Sequence, residues 1–574
     1  MKKKFLFPLL ILFLVFLAAC SPREQTSQTE PAVVRFVTDG TKVSPVVDEL
    51  IESEPLSTKD GFVLEGWYKD KQYAERVVFP FRAHTSCTLY AKWIDKNVGN
   101  EELVFTKRAD DTWEVTSCDT VCRTIWIPNQ KDEKKVTSLA FNFIKNKTHL
   151  AFIHIGKNVD SIEETFYRCL RLTEIEVEEG NESWTSEEGV LYSADKSLLY
   201  AYPVAKEDKT FSVPDTVTEL GGNAFSFNVF LQELTLGKSV AISPSKLRNM
   251  ESLQKFIVDE ENETVSSKQG VLYSADGKRL LVFPAGYPEK TFTIAQGTEE
   301  VAENAFYRCN VTSINLNREL SVFNAPASAP VLTAYTVEEG NAYFVSRDGV
   351  LFTDEGRTLY RFPLGLSGEY AIPSGTEVVF DFAFSHSAAE KVTFPATVTT
   401  IERFAFSECQ SLTEISFAEN SKLERMAGSA FSRCFTLKKV SLTGRVPPQT
   451  DSELFSAHAE GFTVVIPAYT DGLYKAKWPF LADSFSATGP AVIQYDLVFE
   501  SQGGTPVPSV RAAYLLEEPK TTRESGSAYE YYIFLGWYDN PEGTGNKIEF
   551  PYAIEEDKTL YAAWDIGFYT KPNP

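Results

Sequence analysis

Along most of the chain, apolar residues recur in one local order: an apolar position, two intervening residues, a second apolar, one more residue, a third apolar. Cys122/Ile125/Ile127, Leu150/Ile153/Ile155, Leu172/Ile175/Val177, Leu231/Leu234/Leu236 and Leu253/Phe256/Val258 are the first five instances. Val311/Ile314/Leu316, Leu332/Tyr335/Val337, Ala389/Val392/Phe394, Leu412/Ile415/Phe417 and Leu437/Val440/Leu442 follow. The last two members of each triplet lie two residues apart, so they share one face of a strand. Distances between first positions run 28, 22, 59, 22, 58, 21, 57, 23 and 25. A period in the twenties predicts a solenoid whose units each supply one strand and a short return element. No such unit buries its apolar side alone; stacking joins the rows into one core. The three long intervals leave insertions of about 37 residues each.

The insertions share a motif. Gly189-Val190-Leu191-Tyr192-Ser193-Ala194-Asp195, Gly270-Val271-Leu272-Tyr273-Ser274-Ala275-Asp276 and Gly349-Val350-Leu351-Phe352-Thr353-Asp354 each reach a turn, then a second apolar run ending at Pro203, Pro284 or Pro363. Asp276-Gly277 and Glu355-Gly356 suit tight hairpin turns because glycine tolerates positive φ. A closing proline ends ladder pairing. The pattern predicts three β-hairpins budding from the solenoid. Ahead of the strands a second signature recurs: Ala224-Phe225, Ala305-Phe306, Ala383-Phe384, Ala405-Phe406 and Ala430-Phe431, with Thr165-Phe166 as a variant. Cys169, Cys309, Cys409 and Cys434 each follow such a Phe by three residues. They occupy one repeat position and are expected to stack inside the turns as small buried groups.

The run Ile401-Glu402-Arg403-Phe404-Ala405-Phe406-Ser407-Glu408-Cys409-Gln410-Ser411-Leu412-Thr413-Glu414-Ile415-Ser416-Phe417 has the form I..AF..C..L..I.F, which resembles the BspA-like, Treponema-type leucine-rich repeat of bacterial surface proteins. The resemblance covers 103–484, where Val464-Val465-Ile466-Pro467, Tyr474 and Trp478 look like that family's terminal cap. Two further segments resemble each other. Gly61-Phe62-Val63-Leu64-Glu65-Gly66-Trp67-Tyr68 and Thr88-Leu89-Tyr90-Ala91-Lys92-Trp93 match Phe534-Leu535-Gly536-Trp537-Tyr538 and Thr559-Leu560-Tyr561-Ala562-Ala563-Trp564. This pattern resembles the Listeria–Bacteroides (internalin B-type) repeat, a β-grasp-like module, over 33–94 and 495–565; Lys520–Tyr532 is an insertion before the second Gly-Trp-Tyr. The expected fold is mainly β: a leucine-rich-repeat solenoid with three inserted β-hairpins, flanked by two small β-grasp-like modules.

The amino terminus reads as an address. Lys2, Lys3 and Lys4 precede an apolar run, Phe5–Ala18, and then Leu17-Ala18-Ala19-Cys20. A basic start, a short apolar stretch and small residues before a cut describe a secretory signal, here 1–19. The Leu-Ala-Ala-Cys ending resembles the bacterial lipobox, which implies lipidation of Cys20 and a polar tether over 20–32. Acyl chains contribute about 0.8 kcal/mol per buried CH₂, so two or three anchor the chain durably. No later segment approaches 18 consecutive apolar residues.

Composition narrows the chemistry. The 574 residues carry 56 Lys+Arg against 79 Asp+Glu, a net charge of −23, which opposes nucleic-acid binding. Five His and eight Cys are little material for a metal centre, and neither metal nor cofactor is expected. His149 and His154 fall on opposite faces of one strand. No H-E-x-x-H, G-x-S-x-G, Walker loop or strand-borne G-x-G-x-x-G occurs. Cys118 and Cys122 stand at the start of the solenoid, where a disulfide in an oxidising compartment is plausible. The acidic pairs Glu178-Glu179 and Glu299-Glu300 read as solvated loops.

Solenoids bind on the concave strand face. Its outward residues include Glu174 and Glu176, Glu233, Lys255 and Ile257, Lys391, Glu414 and Lys439, with Trp126 and His154 extending it at the amino-terminal end. The insertions, through Trp184, Tyr192, Tyr273 and Phe352, are an alternative contact surface. The resemblance implies adhesion to host proteins, extracellular matrix or other bacteria. No acid/base constellation stands out, so no enzyme is expected. Ser21 after Cys20, in place of an Asp-type retention signal, leads to the expectation of an outer-membrane, surface-exposed lipoprotein. A scaffold lipoprotein facing the periplasm is the alternative.

Overall fold

The computed structural model describes residues 32–568 apart from 48–49, 119–121, 142, 145–146, 164–165, 167–168, 248, 327, 451–452, 490–493, 513–514, 526–529 and 555. The signal peptide, Cys20 and most of the tether lie outside the described residues. The chain divides into two compact units, Met1–Glu101 and Glu102–Pro574.

In the first unit a four-stranded sheet runs in the order Val46–Val47, Val33–Val37, Cys87–Asp95, Phe62–Tyr68. The two central strands are parallel, and the last pair is antiparallel with a bulge between Leu64 and Gly66. Trp67 is fully buried, donates its indole N–H to the Pro55 carbonyl (2.9 Å) and meets Phe36 edge-on at 4.9 Å. The second unit ends in a sheet of the same design: Val510–Ala512, Tyr495–Glu500, Lys558–Phe568, Glu530–Tyr538. Its bulge lies between Phe534 and Gly536, and Trp537 donates to the Pro519 carbonyl at 3.0 Å and meets Phe499 at 4.8 Å. In both modules a cation lies over the bulge glycine. A Cβ on Gly66 would stand 2.5 Å from Arg76 Nε, and one on Gly536 2.5 Å from Lys547 Cε.

All ten strand triplets form strands of the solenoid. They stack in parallel and in register, as where Ile153 faces Ile175, Leu234 faces Phe256, and Val392, Ile415 and Val440 follow one another. The strand face is divided into four sheets. Three of them begin with strands that lack the triplet: Thr210–Ser212, Thr291–Thr293 and Gly368–Ala371, each contributing one inward aromatic, Phe211, Phe292 or Tyr370. A second, lateral ladder consists of two-residue strands, among them Glu219–Leu220, Glu300–Val301, Val378–Val379, Thr400–Ile401 and Arg425–Met426, each turning one apolar residue inward.

The insertions do not bud outward. Each is a three-stranded antiparallel meander: Trp184–Glu187, Val190–Ser193, Leu198–Ala201 in the first, Val265–Lys268, Val271–Ser274, Arg279–Val282 in the second, and Val345–Arg347, Val350–Thr353, Thr358–Arg361 in the third. Its third strand pairs in parallel with the next lateral strand. Its turn glycine, Gly189, Gly270 or Gly349, accepts the N–H of Ile175, Phe256 or Tyr335 at 2.8–2.9 Å. Tyr192, Tyr273 and Phe352 are therefore core residues, fully buried, and not a contact surface; Trp184 is half-buried and donates to the Asp160 carbonyl.

Each central strand of an insertion serves two cores. Leu191 packs upstream, while Val190 and Tyr192 pack downstream; Leu272 against Val271 and Tyr273, and Leu351 against Val350 and Phe352, repeat the division. A strand apolar on both faces is one buried on both faces. Four hydrophobic cores thus follow one another, walled by three two-faced strands.

Inside the coils, Phe384, Phe406 and Phe431 of the Ala-Phe signature are extended by Phe362 and Phe455 into an aromatic column, with successive centroids from Phe362 to Phe455 4.6, 4.4, 5.0 and 5.2 Å apart. The repeat cysteines are buried as expected, and Cys169, Cys409 and Cys434 donate their thiols to the carbonyls of Ile144, Phe384 and Phe406 at 2.9–3.1 Å. Burial pushes the Cys169 and Cys309 thiols up to about 12. The last coil is covered by the helix Asp471–Lys477, whose Tyr474 hydroxyl donates to the Gly444 carbonyl, and by Trp478, whose indole donates to the Pro448 carbonyl.

Candidate binding surface

On the strand face the outward side chains of adjacent coils stand directly opposite one another. Glu233 faces Lys255 and pairs with it at 3.0 Å. Lys391 faces Glu369 on one side and Glu414 on the other, pairing with Glu369 at 2.6 Å, and Glu414 pairs with Lys439 at 2.9 Å. Glu233 with Lys255 in one sheet, and Lys391, Glu414 and Lys439 in another, are therefore brought together, but as alternating ladders that neutralise themselves. Each exposed cross-strand pair contributes roughly 0.2–1 kcal/mol. Glu369 belongs to one of the strands without a triplet, so its place in the ladder was hidden.

A polar ladder accompanies the charges. Asn315 donates to Thr293 Oγ1 at 2.9 Å and accepts from Thr336 at 2.5 Å; Thr393 and Ser416 share a hydrogen bond of 3.0 Å. Ile257 is 40% exposed. This face offers neutral hydrogen-bonding rows and isolated apolar tips, a surface suited to a broad contact.

Its amino-terminal end differs. Trp126 and His154 are buried, 8% and 3% exposed, with rings stacked at 3.6 Å and 9°. His154 Nδ1 lies 3.3 Å from Glu176, and Nε2 lies 3.5 Å from Glu178. Asn129 donates to both oxygens of Glu178, at 2.9 and 2.8 Å. Glu178, read from the sequence as a solvated loop residue, is thus clamped between Asn129 and His154. Trp126 and His154 act as a packed end of the face, and the exposed pair there is Glu174 and Glu176. These two line an open cavity of about 460 Å³ with Ser186, Glu188, Gly189 and Lys206.

Cys118 and Cys122 are both buried, with sulfurs 3.6 Å apart, a thiol contact well beyond the ~2.05 Å of a disulfide bond. Among the described residues no group of three His, Cys, Asp or Glu could hold a metal ion.

Comparison with known proteins agrees with this geometry. The BspA type leucine rich repeat region matches in six copies over 122–188, 200–269, 286–327 and 368–460, and the Listeria-Bacteroides repeat domain matches 33–92 and 495–563. A leucine rich cell surface protein of Faecalibacterium prausnitzii is similar at 18% identity, covering 56% of this chain and 94% of its own with a TM-score of 0.35. The pneumococcal vaccine antigen PcpA is similar at 16% identity, covering 69% and 98% at a TM-score of 0.28. A protein named as a Gly-rich membrane protein of Evansella cellulosilytica is 29% identical over 155 residues, which are 26% of this chain; the chain spans 16% of that relative's length. The chain is a BspA-type leucine-rich-repeat protein with a Listeria-Bacteroides repeat domain on either side of its solenoid.

Proposed function

We propose that the protein is a lipid-anchored adhesin of the bacterial cell surface, holding host proteins, matrix or other bacteria through its solenoid. The observation that carries this reading is the pairing of a BspA-type repeat region with the Leu17-Ala18-Ala19-Cys20 motif. A lipid on Cys20 tethers the chain, and the repeats present a long surface of paired charges and hydroxyl rows. Among the described residues no helix is long and apolar enough to cross a membrane, so the anchor in this reading is the lipid. The function needs no catalysis, metal or cofactor, and the net charge of −23 makes nucleic acid a poor partner.

Protease shaving of intact cells tests it, with a periplasmic protein as control and detection by antibody to the solenoid. Loss of the solenoid signal while the control survives is the expected result. Protection until the outer envelope is broken would replace the adhesin with a scaffold facing the periplasm. A Cys20→Ala variant is expected to leave the membrane fraction.

A further inference from the structure

In a repeat array most positions serve the stack, and a residue that breaks the repeat against local backbone preference asks for another explanation. The position two before each column Phe has left-handed backbone in several coils: φ is +59° at Asn304 and +61° at Ser429. Asn is among the residues that tolerate this conformation best. In two successive coils the position holds Phe382 (φ +56°) and Phe404 (φ +55°), for which left-handed backbone is strained. Their rings stack at 5.1 Å and 19°, and Phe382 is 45% exposed. Neither ring is needed for the aromatic column, which Phe384 and Phe406 already build one step inside.

A third departure lies beside them. Where other coils have Gly221, Ala302, Glu402 or Ala427, this coil has Phe380, 38% exposed and 5.3 Å from the ring of Tyr360. The Arg361 guanidinium sits over Tyr360 at 4.4 Å and donates to the Tyr360 and Asp381 carbonyls, and Arg403 lies 5.5 Å from the Phe404 ring. Between the aromatics, Asp381 keeps a buried carboxylate oxygen, Oδ1, without a hydrogen-bond partner. An unpaired buried acceptor is costly unless something supplies a donor.

We propose that Phe380, Phe382 and Phe404, with Asp381, Arg361 and Arg403, form a binding site for neutral polysaccharide on the lateral side of the solenoid. A pyranose ring presents a face of C–H bonds that packs on an aromatic ring, and its hydroxyls meet the partly exposed Asp381 carboxylate and the exposed Arg403 guanidinium, while Arg361 holds the Tyr360 and Phe380 rings in place. Carboxylate acceptor and guanidinium donors stand side by side here, so neither sign dominates. A chain of net charge −23 repels acidic glycans, which leaves neutral ones. The site belongs to the lateral ladder and stands whether or not the strand face binds protein.

The test is affinity electrophoresis of the full chain in mild detergent, through native gels containing β-glucan, α-mannan, xylan or glycogen. The wild type is expected to be retarded by at least one polymer. Phe382→Asn/Phe404→Asn installs the residue the array itself uses at Asn304, and is expected to melt no lower than wild type while weakening retention about tenfold or more. Phe380→Ala, outside the left-handed position, is expected to weaken it independently. Absence of retardation by all four polymers overturns the proposal, as does retention of the double variant within about threefold of wild type. Loss of a protein ligand by the double variant, with no polysaccharide retained by wild type, would make the ledge a protein contact instead.

Discussion

At the scale of single residues, the solenoid is held by side chains that repair its own backbone. Asn262 is buried; its amide donates to the carbonyls of Gly237 (2.8 Å) and Val240 (3.1 Å) in the coil before, and its Oδ1 accepts the N–H groups of Thr264 and Val265. Asn181, Asn228 and Asn341 each bind two carbonyls of the preceding chain in the same way. The tight return loops leave backbone groups that neither ladder satisfies, and asparagine alone offers two donors and an acceptor at that reach. Asn262→Ala strands several buried polar groups, each costing about 1–3 kcal/mol. The expected loss is about 3 kcal/mol or more, read from urea denaturation, against less than about 0.5 kcal/mol for an exposed control such as Glu260→Ala. Nothing in the apolar pattern singled these asparagines out. A polar residue near a turn reads as a loop until the carbonyls it meets are known.

At the scale of elements, the insertions depend on glycine. Gly270 has φ +77°, and a Cβ there would lie 2.6 Å from Lys255 Cβ, on the strand it closes against. Gly270→Ala combines a left-handed cost of about 1–2 kcal/mol with a clash against the Lys255 Cβ of about 1–3 kcal/mol. A fall of at least 2 kcal/mol is expected, and Gly297→Ala, where nothing lies within 4 Å, should show the conformational part alone. A second element-scale expectation concerns the join between Trp113–Cys118 and Thr124–Trp126. We propose that Cys118 and Cys122 close a disulfide by exchange with a disulfide oxidant, which takes up their two hydrogens and leaves as two thiols: intact mass falls by about 2 Da with oxidised glutathione, and the five-residue ring adds about 2 kcal/mol. No mass change in the folded chain would leave them as packed thiols. The elements also show what was legible. The triplets were readable because two inward residues per strand leave a period-2 mark within a coil-length period. Thr210–Ser212 and its two counterparts were not, because each turns a single aromatic inward. The meanders were read as hairpins, yet Val190-Leu191-Tyr192 already said more: consecutive apolar residues on a strand mean two buried faces, and hence a wall rather than a protrusion. Trp126 and His154, assigned outward by alternation, are buried, since period 2 gives the face but not what covers it.

At the scale of the whole molecule, the three walls predict how the solenoid comes apart. In a linear array each unit contacts only its neighbours, so stability is a sum of local terms and openings are segmental. A uniform stack would let fraying pass from coil to coil without a preferred stop. Here the strand face is broken into separate sheets at each insertion, and the cores on either side meet through the opposite faces of the insertion's second and third strands, Val190–Ser193 with Leu198–Ala201, Val271–Ser274 with Arg279–Val282, and Val350–Thr353 with Thr358–Arg361. The last segment, from Val350 to Leu481, holds the aromatic column and the longest uninterrupted parallel sheet, so it should be the most resistant to opening. Native-state hydrogen exchange read by mass spectrometry is expected to resolve blocks of protection whose edges fall at the three walls. Phe406→Ala removes one ring from the middle of the column, at a cost of about 3–5 kcal/mol. Its effect should be confined to the last block, with peptides from the core between Val190 and Leu281 exchanging as in the wild type. Leu351→Ala acts at a wall, from the upstream face. It should lower protection on both sides, because the strand it thins is one that the two cores share. Protection that falls evenly along the whole solenoid in both variants would mean that the walls transmit strain rather than stop it, and that the molecule opens as one unit.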